Sequence, residues 1–106
     1  MKTAIVYYNG IPAGRLSKTK SGCEFQYFEK YLEDPGGLPV SATLPLRISP
    51  YVSEKLFPFF EGLVSEGWLL KIQSITQKID ENDTFTLLIE NGKDLIGAVT
   101  VEKEDE

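Results

Sequence analysis

Thr3-Ala4-Ile5-Val6-Tyr7-Tyr8-Asn9-Gly10-Ile11 is the stretch on which the reading of this chain turns. A β-branched and aromatic run meets Asn-Gly, the strongest short hairpin signal. Ile11–Lys20 then reads as the returning strand, with Pro12 tolerable only near its start or on an edge. Ser21-Gly22 marks a second turn, and Cys23-Glu24-Phe25-Gln26-Tyr27 alternates with period 2, which implies one buried face and one wet face. Three strands joined by tight turns make an antiparallel meander.

Beyond the meander the pattern changes. The region 31–38 holds Asp34-Pro35-Gly36-Gly37 and reads as a loop. Val40–Leu46 reads as a short extended segment whose pairing ends at Pro45, and Ile48–Val52 as another loop around Pro50. Ser53 then looks like a helix cap. Leu56, Phe60 and Leu63 form one stripe, with Phe57 and Val64 beside it. Pro58 places the start of the regular helix near Phe57. Trp68–Ile79 reads as a second helix, with Ile72, Ile75 and Ile79 on one face. Asp80–Asp83 is a polar break rich in cap residues. Thr84–Glu90 reads as a short third helix stopped by Asn91-Gly92. Leu95–Val101 reads as a last strand, interrupted at Gly97, and residues 102–106 as a frayed acidic tail. The order gives an α+β fold: a small antiparallel sheet, made of the N-terminal meander plus a C-terminal strand, with two or three helices packed on one side.

At 106 residues the chain is expected to be one domain, 1–106, burying about 65% of its unfolded surface. Its net charge is −5, yet residues 1–22 carry Lys2, Arg15, Lys18 and Lys20 and no acid. An acidic chain is a poor phosphate binder, so no direct nucleic-acid contact is expected, while the basic N-terminal hairpin suits an acidic protein surface. No apolar run reaches the ~20 residues of a membrane span, and there is no signal-peptide pattern. The expectation is a soluble, cytoplasmic protein with no membrane contact.

The chemistry open to the chain is narrow. It has no histidine, so His-based triads, general bases and metal sites are excluded. Its single cysteine, Cys23, cannot form an internal disulfide or a cysteine zinc site, and reads as a core thiol. Gly10-Ile11-Pro12-Ala13-Gly14 lacks the P-loop spacing and ending, and Asp80-Glu81-Asn82-Asp83 lacks the glycine and glutamate of a calcium loop. No cofactor and no catalytic residue are expected.

What remains is aromatic. Leu56-Phe57-Pro58-Phe59-Phe60 with Leu63-Val64 is too apolar for one stripe: either the helix is covered on two sides, or Phe59 or Phe57 reaches a partner. Ser65-Glu66-Gly67-Trp68 presents the same choice. Trp68 shares a helical stripe with Ile72 and Ile75, which suits a core residue. Its polar, glycine-containing lead-in and the frequency of Trp among binding hot spots suit an interface. Ser65, Glu66, Gly67, Trp68, Leu69 and Phe59 are the candidate partner-binding residues.

The segments Asn9-Gly10-Ile11-Pro12-Ala13-Gly14-Arg15-Leu16, Phe25-Gln26-Tyr27, Ser41-Ala42-Thr43-Leu44-Pro45-Leu46, Phe59-Phe60-Glu61-Gly62-Leu63 and Gly97-Ala98-Val99-Thr100-Val101 resemble, in order and spacing, the N-terminal subdomain of the HipA family of serine/threonine kinase toxins. The similarity runs from about residue 2 to 104. HipA continues into a kinase core where this chain stops. The chain therefore looks like the free-standing counterpart, the HipS type found in tripartite HipB–HipS–HipT toxin–antitoxin modules. The resemblance implies a non-catalytic protein that binds the shortened kinase HipT and restrains it, with HipB as the DNA-binding member of the complex. It places the 65–68 segment near the kinase core, where Trp68 would plug the cleft and Glu66 would meet a basic residue. Two other readings stand beside it: an assembly subunit that completes the HipT fold without inhibition, and a fragment of a longer HipA-like kinase.

Overall fold

A computed structural model describes residues 2–64, 83–92 and 98–104. The first hairpin forms as its turn demands. β1 (Thr3–Tyr8) and β2 (Ile11–Thr19) pair antiparallel, with Tyr8 opposite Ile11. Asn9 and Gly10 both take positive φ, 52° and 79°, the geometry that matches the twist of the flanking strands. The pairing slips once, between Val6 and Tyr7, leaving Ala13 as an extra residue in β2 beside Pro12. The bulge lets the consecutive residues Ala13 and Gly14 both be buried, and the Ala13 carbonyl is free to accept from Phe28 N–H at 2.9 Å.

β3 (Gly22–Tyr27) completes the meander. The two-residue turn is Lys20-Ser21, one position earlier than the sequence suggests, because Gly22 already pairs with Thr19. Gly22 has φ 152°, and a Cβ there would stand 2.0 Å from the Ser53 carbonyl oxygen, so another backbone lies where a side chain would be. That backbone is β4 (Tyr51–Ser53), paired with β3 through Phe25↔Tyr51 and Cys23↔Ser53. On the opposite edge, β5 (Val99–Lys103) pairs with β1 through Val6↔Val101. The sheet is antiparallel with order β4-β3-β2-β1-β5.

Three helices lie among the described residues: α1 (Glu29–Glu33), α2 (Pro58–Leu63) and α3 (Thr84–Asn91). Ala4, Val6, Leu16, Cys23, Phe25, Tyr27, Val99 and Val101 bury one face of the sheet, with Phe60, Phe85, Leu87 and Leu88 from α2 and α3 in the same apolar cluster. Phe25 stands at its centre, fully buried, with ring centroids 4.9 Å from Tyr27 and 5.4 Å from Phe60. α3 is capped by Asp83, whose carboxylate accepts from Thr86 N–H and from the Thr86 hydroxyl at 2.7 Å. α2 carries Pro58 in its first turn, where no backbone donor is lost.

This is the α+β arrangement read from the sequence, with several local corrections. The region read as a loop from Tyr31 begins with a helical turn, because Tyr31 docks on Tyr27, their rings parallel at 6.0 Å. Val40–Leu46 is not a strand: Leu44 N–H bonds the Ser41 carbonyl and turns the chain. Tyr51–Ser53, read as loop and helix cap, is the edge strand β4, and the Ser53 hydroxyl accepts from Lys55 N–H at 3.3 Å instead of capping a helix in the described residues. The final strand runs to Lys103 instead of stopping at Val101. Glu104, read as frayed, is held by Arg15 and Thr3. The expected helix over Trp68–Ile79 and the start of the last strand at 95–97 lie outside the described residues.

Candidate partner-binding surface

Of the six candidate residues, Phe59 alone is described; Ser65, Glu66, Gly67, Trp68 and Leu69 lie outside the described residues. Phe59 sits on α2 and is half-buried, its ring edge-on to Phe60 at 5.2 Å. The excess apolarity around α2 resolves mostly inward. Leu56, Phe57, Phe60 and Val64 are buried, and Phe59 and Leu63 pack against the cluster from its margin. Phe59 thus has part of its ring in the fold and part available to a neighbour.

No described residue is poised for acid–base or nucleophilic work. Burial pushes the Cys23 thiol up, against a smaller opposing effect of Lys18, which disfavours the thiolate. Burial pushes the Tyr27 phenol up to about 12. Burial would raise Asp83, but the hydrogen bonds from Thr86 and the charges of Lys18 and Lys2 outweigh it and hold its carboxyl below the usual range. Glu104 is lowered by hydrogen bonds from Arg15 and Thr3. The Arg15–Glu104 pair is bidentate, with both contacts at 2.9 Å, and joins β2 to the end of β5 across β1. Among the described residues no group of His, Cys, Asp or Glu has metal-binding geometry. No described helix is long and apolar enough to cross a membrane.

Two phenols organise the chain between α1 and β4. The Tyr27 hydroxyl donates to the Leu44 carbonyl and accepts from Val40 N–H at 3.0 Å; the Tyr31 hydroxyl donates to the Leu38 carbonyl at 2.5 Å. With Val40 and Leu44 buried as well, residues 38–44 are fastened to the sheet and to α1.

Residues 46–52 then show three apolar side chains to solvent. Ile48 is 77% exposed, Val52 68% and Leu46 36%. Their backbone is firmly held. Gln26 donates to the Ile48 carbonyl at 3.2 Å, and the Tyr51 hydroxyl to the Pro45 carbonyl at 2.6 Å. Arg47 donates to the carbonyls of Ser49 and Pro50 while its guanidinium lies 3.6 Å over the Tyr51 ring. The loop so held leads into the β4 edge of the sheet. Sequence reasoning passed over its exposed side chains because no periodicity marks them. The available signal was three large aliphatic residues in a proline-flanked stretch that the packing rules had not used. A groove of about 750 Å³ lined by Ile11, Pro12, Phe28 and Tyr31 together with the charged Glu29, Lys30 and Asp34 opens beside the first hairpin turn. Among the described residues the exposed features are apolar side chains and shallow grooves.

Residues 4–102 match the family model for the HipA N-terminal domain. An uncharacterized protein of Haemophilus influenzae is 36% identical over 104 residues, a match covering 98% of this chain and 94% of that protein. A putative kinase of Sinorhizobium fredii, Y4mE, is 31% identical over 102 residues, covering 95% of this chain but 24% of that protein. Among solved structures, the N-terminal domain of HipA toxin superposes with a TM-score of 0.77 at 33% identity, covering 100% of this chain and 95% of that one. With the meander, the helices and the terminal strand all matched, the chain belongs to the HipA N-terminal domain family.

Proposed function

We propose that this protein is a non-catalytic antitoxin that binds a HipT-like serine/threonine kinase and restrains it, with Trp68 seated in or beside the kinase's active-site cleft. Ser65, Glu66, Gly67 and Leu69 present that tryptophan, Phe59 extends the contact, and a HipB-like DNA-binding protein joins through the complex. The observation that supports this reading most is the family match over residues 4–102 in a chain without histidine and with its one thiol buried. The relatives' names carry the words toxin and kinase, and the Haemophilus influenzae relative consists almost wholly of this domain.

A different observation favours a second reading. In the Sinorhizobium fredii putative kinase the domain occupies 24% of one longer chain. A domain built into such a chain can complete its fold without obstructing catalysis, which makes this protein an assembly subunit. The deciding experiment is phosphorylation by purified HipT-like kinase with and without one equivalent of this protein, in wild-type and Trp68→Ala forms. Inhibition by the wild type that Trp68→Ala relieves by about tenfold or more supports the plug. Inhibition that survives Trp68→Ala in a folded protein removes Trp68 from the mechanism. Binding with full kinase activity leaves the assembly subunit.

A further inference from the structure

We infer that residues 38–55 form a strap that lifts as a unit from the β3 edge while the rest of the sheet stays folded, and that this opening controls access to Cys23. Between Leu38 and Lys55 only Val40 and Leu44 are buried, with Tyr51 packed at the margin of the core. β4 is three residues long, whereas β2 and β3 pair from Gly14↔Tyr27 to Thr19↔Gly22. A segment with so little buried apolar surface and so short a ladder belongs to the low end of local stability. Its two ends run through exposed chain, Asp34-Pro35-Gly36 before it and Glu54-Lys55 at its close.

The closed strap has a latch and a seat. The latch is the Tyr27 hydroxyl, bonded to the Leu44 carbonyl and the Val40 N–H, helped by Tyr31 on the Leu38 carbonyl and Gln26 on the Ile48 carbonyl. All three side chains belong to β3 and α1, which stay behind when the strap lifts. The seat is Gly22, where a Cβ would collide with the Ser53 carbonyl oxygen and the Glu54 Cα; the strap closes only over a residue with no side chain. Cys23 lies under it, buried, opposite Ser53 in the ladder and lining a crevice of about 190 Å³ with Glu54, Lys55 and Leu56. Lifting β4 with Glu54 and Lys55 removes one wall of that crevice and frees the β3 edge. Val6 and Val101, at the other side of the sheet, are not disturbed.

Cys23 is the only cysteine of the chain, so alkylation reads one site. The test follows N-ethylmaleimide labelling of the folded full-length protein across low urea, with reagent dilute enough that the rate stays proportional to its concentration. The forms compared are wild type, Tyr27→Phe, Gly22→Ala and Val101→Ala. Val101 is fully buried and pairs with β1 at the far edge, so its truncation lowers global stability without touching the strap. Tyr27→Phe is expected to speed labelling by about tenfold or more, with Gly22→Ala in the same direction. Val101→Ala should change the rate by less than about twofold in the absence of urea. The rate should also rise with urea much less steeply than global unfolding does. Labelling that follows the global urea dependence, and that Val101→Ala speeds in step with its lost stability, overturns the strap, because Cys23 then reacts only through complete unfolding. A fast rate that neither urea nor Tyr27→Phe alters overturns it too, because the thiol is then reached with the strap closed. The wild type's own urea dependence decides the matter where a variant does not fold.

Discussion

The β1–β3 meander and the Leu38–Ser53 segment lie against each other but are stabilised in different currencies. The meander closes through two-residue turns and buries one continuous face, from Ala4 and Val6 through Leu16 to Phe25 and Tyr27. The segment has no ladder until β4. It is held by the buried Val40 and Leu44 and by a few side-chain hydrogen bonds: Tyr27 to Leu44, Gln26 to Ile48 and, more locally, Tyr31 to Leu38. Apolar burial is spread over many contacts and degrades gradually, whereas a region held by single hydroxyls is released by the loss of one atom. The difference explains how a small domain keeps a stable sheet and also displays a shaped surface.

The largest effect should come from the meander's centre. Phe25→Ala removes a fully buried ring with two aromatic neighbours and is expected to cost about 3–5 kcal/mol in urea unfolding. A loss below about 1 kcal/mol would mean that the core does not converge on Phe25. Gly22→Ala strikes the junction of the two regions. Its Cβ would collide with the Ser53 carbonyl, so a loss of about 2 kcal/mol or more is expected, with faster amide exchange in β4 than in β1. Uniform exchange across the sheet would show that the two regions open together.

Tyr27→Phe keeps the ring and deletes the hydroxyl. It leaves the Leu44 carbonyl and Val40 N–H without that partner, for about 1–3 kcal/mol. It also carries a pH signature. The Tyr27 phenol titrates near 10 unfolded and near 12 folded, so the unfolded state holds fewer protons in that window. The contribution is complete below pH 10 and is lost as pH rises toward 12. Stability measured across that window should fall less steeply in the variant; an unchanged slope would remove Tyr27 as its source.

The smallest effect belongs to Glu104→Gln. Its carboxyl is lowered by Arg15 and Thr3, so its contribution is present above the usual carboxylate range and disappears as pH falls through the lowered value. The pair is largely solvated, which limits the expected loss at neutral pH to below about 1 kcal/mol. Salt should weaken the wild type's advantage, and a salt-independent difference would point to backbone fraying at the end of β5 instead.

Legibility followed the range of the forces. The first hairpin was readable because Asn9-Gly10 encodes its own turn, and the alternation from Cys23 to Tyr27 encodes its own face. A cap within Asp80–Asp83 was readable because capping is local, and the structure assigns it to Asp83, whose partner Thr86 is three residues away. The family resemblance, carried by five spaced motifs, agrees with the match over residues 4–102. β4 was not readable: three residues bounded by Pro50 and Glu54 have no periodicity to detect, and they become a strand only because β3 offers a free edge. The candidate surface divides in the same way. Phe59 was singled out from local apolarity, and the structure gives it half a role in the core; Ile48 and Val52 were passed over because exposure is not a property of a residue's neighbours in sequence.

By itself the sequence determined the meander turns and the capped third helix, since each depends on contacts within a few residues, and with them the α+β class. Tertiary structure alone decided where the chain from 38 to 53 lies, that Glu104 closes on Arg15, and that Leu46, Ile48 and Val52 face solvent. Those outcomes depend on which distant hydroxyl, carbonyl or strand edge is left unpaired once the sheet has formed, and that is settled only when the whole chain is folded.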